Sequence, residues 1–253
     1  MEKGYPYLPD GKSRATTARG TTMNDLSVAS SLATAPSAAF ADLRERPRFW
    51  FPLLAICISS AVVVAWYYSV VDIDWLKEQL FGNNPDMQKM PPEQRMAAMN
   101  FVGRNTMMIG GIVGTFIGMP IAFLLGGLYY FIAAKITKVP LGFKHWFSLV
   151  CWASLPIVLS SIAAIIILLL RDNDQVLPSV LQALSLNELV FHRPLGSPGQ
   201  AFLDSINIPA FLSMVLAVIG THVFSQRSWQ YSAIVALLPS VLIWGIWAIF
   251  AFR

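Results

Sequence analysis

The sequence predicts an all-α, polytopic integral membrane protein: a bundle of five transmembrane helices, N-terminus cytoplasmic and C-terminus outside. Three observations predict it. Of 253 residues, 55% are hydrophobic and only 13% are charged, about half the charged fraction of a soluble domain. Five separate stretches carry no Asp, Glu, Lys or Arg over 22 or more residues. Lys and Arg are unevenly shared between the alternate flanks of those stretches. Soluble α/β and all-β architectures fail on the first observation.

Charged side chains are costly at the bilayer centre, so the gaps between them outline the spans. The gaps are 23 residues between Arg48 and Asp72, 30 between Arg104 and Lys135, and 26 between Lys144 and Arg171. Two more are 22 residues between Asp204 and Arg227, and 25 between Arg227 and Arg253. Crossing the hydrocarbon takes roughly 20 apolar residues. The predicted spans are about 50–70, 106–134, 146–170, 206–224 and 231–252. The first side of the bundle collects 11 Lys and Arg against 5 acids, and the other side 7 against 9. The positive-inside rule makes the first side cytoplasmic. Its basic face is Arg44, Arg46, Arg48, Lys135, Lys138, Lys144 and Arg227. The two short links on that side carry no acid, which suits contact with anionic headgroups.

Residues 1–35 are rich in Ser, Thr, Ala and Gly without apolar period and read as a disordered tail, followed by the membrane domain at 36–253. Met23 begins a run, Met-Asn-Asp-Leu-Ser, that reads as the true start, so that 1–22 are expected to be a misassigned extension or a dispensable tail. Ser37 is expected to cap a short helix ending before Pro47. Phe40 and Leu43 share one face of it, as in an interfacial helix lying flat before the first span, which serves either to stop and orient the chain or in docking. Among the outer segments, Pro91-Pro92-Glu93 is a helix start, and a second short helix is expected from Pro178 to about Phe191. These segments either cap the bundle or rest on the lipid surface.

Within the spans, Gly110, Gly114 and Gly118 recur every fourth residue, a small-xxx-small pattern for close helix packing. The pattern fits packing within the bundle, or a homo-oligomer. Pro120, Pro156 and Pro239 are expected to kink the second, third and fifth spans. The carbonyls they free are expected to line a small polar cavity or to bond neighbours such as Ser160 and Ser240. Trp50, Trp66, Tyr67, Tyr68, Tyr129, Tyr130, Trp146, Trp152, Trp229 and Tyr231 cluster near the predicted span ends, as the aromatic belt expected at both interfaces. Cys57 and Cys151 are expected to act as small packing residues.

Chemistry is sparse. No Asp, Glu, Lys or Arg lies inside a span, which argues against a carboxylate proton relay and an intramembrane aspartyl protease. Metal, nucleophile-turn and phosphate-loop motifs are absent. Of three histidines, only His222 lies well inside a span, and a structural hydrogen bond to Thr221, Ser225 or another helix is expected. No catalytic residue, metal or cofactor is assigned, and no nucleic-acid partner.

The segment Leu32-Ala-Thr-Ala-Pro36-Ser37-Ala-Ala-Phe40-Ala-Asp-Leu43-Arg-Glu-Arg-Pro47-Arg-Phe-Trp-Phe-Pro52-Leu-Leu resembles the opening of bacterial members of the Yip-domain family. A Pro-Ser-x-x-Phe helix and a Pro-x-x-x-x-Pro element there precede the first of five spans. The resemblance continues at Gly142-Phe-Lys-His-Trp-Phe-Ser-Leu-Val-Cys-Trp-Ala-Ser-Leu-Pro156. It implies a five-span domain with a cytosolic N-terminus, in the inner membrane of a bacterium. In eukaryotic members it also implies vesicle traffic and small-GTPase binding, but this sequence lacks their Asp-Leu-Tyr-Gly-Pro element. The expected function is non-enzymatic: organising or recruiting membrane or cytosolic partners through the basic face. The alternative is a small permease or channel subunit, with the second, third and fifth spans lining a path.

Overall fold

The computed structural model describes residues 23–81 and 89–252; the expectations for 1–22 lie outside them. The described residues are helical, with one isolated antiparallel bridge between Ser185 and Asn207. The helices are α1 (Asp25–Thr34), α2 (Pro36–Glu45), α3 (Trp50–Val70), α4 (Ile73–Phe81), α5 (Pro92–Phe101) and α6 (Arg104–Ile136). They continue with α7 (Phe143–Ala153), α8 (Val158–Leu170), α9 (Gln200–Ser205), α10 (Ile208–Ser225) and α11 (Trp229–Ala251).

Among the described residues, five helical segments are long and apolar enough to cross a membrane: α3, α6, α7 with α8, α10 and α11. Each predicted span overlaps one of them. The third is not a single helix. Pro156 has no N–H to give, and α7 ends at Ala153 in a 3-10 turn, Leu155–Ile157, before α8 begins. The Ser154 N–H gives the last α-helical bond before the break, to the Val150 carbonyl at 3.0 Å. By contrast α6 and α11 remain α-helical through Pro120 and Pro239.

Three apolar clusters divide the bundle by depth. At one end Phe40, Leu43, Tyr130, Trp146, Leu149, Trp152 and Phe224 pack together. Leu53, Ile56, Cys57, Phe123, Phe147 and Cys151 form the second. Tyr67, Val71, Leu76, Leu168 and Val180 close the far end. Both cysteines are therefore packing residues. Trp146, Trp152, Tyr67 and Tyr130 are buried, which corrects the belt reading for these four, while Trp50 and Trp229 are exposed as a belt requires.

Four further expectations need correction. The tail is helical over Asp25–Thr34, where Asn24 caps through its side chain to the Ser27 N–H at 2.7 Å. α2 starts on Pro36 with Ala35 at its cap, so Ser37 is not the capping residue. In place of one helix over 178–191 there is a 3-10 turn at Pro178–Gln182 and a π-helical turn at Asn187–Phe191. Finally, Gly110, Gly114 and Gly118 do not pack within the bundle: a Cβ on any of them would meet nothing within 4 Å. The close approaches belong to other glycines. A Cβ on Gly111 would lie 2.7 Å from Val64 Cγ1, on Gly126 3.3 Å from Val150 Cγ1, and on Gly127 3.1 Å from Phe147 Cα.

Candidate functional site at the basic end

The end carrying the first cluster is assembled from α1, α2, the C-terminus of α6, the N-terminus of α7, and the α10–α11 link. Rather than lying flat on lipid, α2 is docked. Phe40, Leu43 and Ala39 are fully buried, and Phe40 meets Phe224 edge-on at a centroid distance of 6.2 Å. Its ring occupies a slot that exists because residue 220 is glycine; a Cβ there would lie 2.9 Å from Phe40 Cε1.

Arg48 holds the pair of N-terminal helices to the bundle. Its Nε lies 2.5 Å from Asp25 Oδ1, and its Nη2 lies 2.8 Å from Asp42 Oδ2. The same Nη2 donates to the Met23 carbonyl at 2.9 Å. The Arg48 carbonyl accepts from Ser148 Oγ at 2.6 Å and from Trp152 Nε1 at 2.7 Å. One residue thus joins α1, α2 and α7. Arg44 Nε donates to the Phe224 carbonyl at 3.1 Å, where a cation suits the C-terminus of α10. Arg227 donates to the Thr137 carbonyl and lies 5.7 Å from the Tyr231 ring centroid.

The seven basic-face residues therefore separate into two sets. Arg44, Arg48 and Arg227 are tied to the protein. Arg46, Lys135, Lys138 and Lys144 are exposed, and none has an acidic partner among the described residues. Asp25 and Asp42 are taken by Arg48, leaving Glu45 as the exposed acid here among the described residues. Lys138 stands in the left-handed region at φ 58°. The Val139 N–H reaches back to the Ala134 carbonyl at 2.8 Å, so α6 closes as a helix terminus with Lys138 turned outward.

His222 makes neither of the local hydrogen bonds expected of it: its ring stacks on Trp229 at 3.9 Å and 15°. Among the described residues no three His, Cys, Asp or Glu gather as a metal would require.

A cavity of about 700 Å³ lies between α6, α7 with its 3-10 turn, α10 and α11. Tyr129, Ser154, Asn207, Ser213 and Ser240 line it among aliphatic side chains, with Pro239 on one wall. Its basic end is bridged by hydrogen bonds. Proline at 239 frees the carbonyl four residues earlier, Val235, and Tyr129 Oη donates to it at 2.8 Å. The partner of that carbonyl is thus a tyrosine of another helix, not Ser240. Closer to the end, the Thr137 and Tyr231 hydroxyls lie 2.7 Å apart.

Five apolar helical spans, their polar backbone groups satisfied within helices or by such caps, define a polytopic α-helical integral membrane protein. Residues 29–252 match the Yip1 domain, and the chain belongs to that family. It is similar to the "Membrane protein YknW" of Bacillus subtilis (strain 168), 26% identical over 221 residues, covering 86% of this chain and 85% of the relative. No solved structure matches it. The resemblance carried by the Phe40 and Leu155-Pro156 segments thus identified the family correctly.

Proposed function

We propose that this chain is a non-enzymatic organiser in the inner membrane of a bacterium, recruiting protein partners at a cytoplasmic face built from α1, α2 and the two basic links. The observation that carries this reading is the cluster of Arg46, Lys135, Lys138 and Lys144, exposed and without acidic partners at one end. Lys and Arg beside a membrane attract anionic headgroups, and the same charges attract acidic protein surfaces. The docked helix pair supports the reading too, since Arg48 and the Phe40 slot hold α1 and α2 as a fixed surface. With an odd number of spans, the C-terminus lies on the outer side.

A permease would draw support from the cavity beside Pro239 and the third-span break. Its lining is mostly apolar, however, and hydrogen bonds bridge α6 and α11 below it, which favours recruitment. The test is affinity purification of the detergent-solubilised protein from native cells, against a Lys135/Lys138/Lys144→Ala variant. Partners that co-purify with wild type and are lost from the variant are the expected result. Equal recovery from both, or no specific partner with either, overturns the proposal and makes solute flux into reconstituted vesicles the next measurement.

A further inference from the structure

We infer that the cavity between α6, α7, α10 and α11 is a binding site for one acyl chain of a membrane phospholipid, drawn from the leaflet at the Asn207 end. The cavity lies among spanning helices, so the medium outside it is hydrocarbon. Its lining runs from Asn207 to Ala217 on α10 and from Ala236 to Trp244 on α11. At 1.5 Å per residue these runs are about 15 and 12 Å. The hydrocarbon core is ~30 Å thick, so the cavity has the reach of one leaflet. That is the depth an acyl chain occupies, whereas a partner's transmembrane helix would need a groove along the full thickness.

The shape has a floor and a side opening. Tyr129 bonded to the Val235 carbonyl, with Thr137 against Tyr231 beneath it, closes the basic end. Away from that end Phe211 of α10 and Trp244 of α11 lie 5.9 Å apart by ring centroid, and Leu125 and Ile243 stand exposed at the rim, 62% and 61%. A chain can therefore enter sideways from the bilayer and stop at Tyr129. Water is a poor occupant, because each buried water needs two to four polar partners. Here the polar side chains are scattered over a mainly aliphatic wall. Asn207, at the mouth, is already committed to the Ala210 N–H at 2.8 Å and the Ser205 carbonyl at 3.2 Å.

The test uses the full chain, reconstituted in palmitoyl-oleoyl phosphatidylglycerol vesicles, extracted in mild detergent and weighed by native mass spectrometry. Wild type is expected to keep one phospholipid after detergent is stripped. Ser213→Phe, which fills the cavity, should lower that occupancy about tenfold, the change that 1.4 kcal/mol of lost contact produces. Ile132→Phe, on the exposed flank of α6 and outside the lining, should leave it unchanged. A second measurement needs no variant. A phosphatidylglycerol with a photoreactive group at its chain terminus should label Tyr129, Tyr130 and Leu149 above the lipid-facing Ile132. Loss of lipid from both variants alike, no retained lipid in wild type, or labelling no stronger at Tyr129 than at Ile132 overturns the inference.

Discussion

At Gly220 and Gly127 the missing side chain is a packing requirement, because what a Cβ would strike is an aromatic ring or a backbone. Gly127→Ala would press on Phe147 Cα from 3.1 Å. Overpacking of this kind costs about 1–3 kcal/mol, so the midpoint of thermal unfolding in detergent should fall. Gly114→Ala meets empty space and removes a poor helix former, which is worth up to about 1 kcal/mol; its midpoint should hold or rise. Equal losses in the two variants would show that Gly114 is covered in the intact protein. The every-fourth-residue spacing marked the wrong glycines because spacing says which residues align, not which side of α6 faces a neighbour. Only Val64, Val150 and Phe147, distant in sequence, decide that. Tyr129 hides its role in the same way, since it reads as one more interfacial tyrosine. Removing its hydroxyl in Tyr129→Phe should cost about 0.5–1.5 kcal/mol. In a Pro239→Ala background the helix can bond the Val235 carbonyl itself, and the same change should cost measurably less. A double-mutant cycle on unfolding free energies checks this, and additive losses would sink it.

Among the elements, the N-terminal pair α1–α2 departs furthest from its composition. Small polar residues made 25–34 look unstructured, but Val28 and Leu32 are buried, and Asp25 meets Arg48 across 22 intervening residues. Local propensity carries no trace of such a partner. Arg48→Ala removes both ion pairs and the bond to the Met23 carbonyl. The expected outcome is that limited proteolysis cuts between α1 and α3 faster than in wild type while the five spans stay protected. Gly220→Leu, which fills the Phe40 slot, should do the same from the opposite side of the interface. If neither variant speeds cleavage, the docking does not depend on these contacts. The spans themselves were legible because a charge-free gap is a one-dimensional signal of a one-dimensional constraint, the thickness of the hydrocarbon. The third-span break was legible only as a proline, and Ser154 and the 3-10 turn complete it.

For the molecule as a whole, charge bias makes a prediction that the fold alone does not. A reporter fused after Arg253 should be active only on the outer side, and one fused ahead of Met23 only in the cytoplasm. Both fusions reporting the same side would refute the five-span count, and both reversed would refute the orientation. The family was legible in two short segments, and the reason is physical. Phe40 with its proline-led helix and the Leu155-Pro156 break are the places where the bundle needs a particular residue, whereas most lipid-facing positions accept any apolar side chain. The basic end was legible as a composition of charges but not as two sets. Which arginines bond carbonyls and which cations lack an acidic partner among the described residues depends on chain ends that meet only in three dimensions.

The slot for Phe40 also sets an order of events during synthesis. Gly220 is made 180 residues after Phe40, which at 5–20 residues per second is a delay of roughly 10–40 s. Until the fourth span is inserted, α1 and α2 have only the third-span part of their seat, and the Phe40 face must rest on the membrane surface or on a chaperone. Docking of the first helices is therefore among the last steps of assembly, a latch that closes only on a completed bundle. Nascent chains stalled before residue 208 should expose the α1–α2 region to protease, and chains stalled well beyond residue 225 should not.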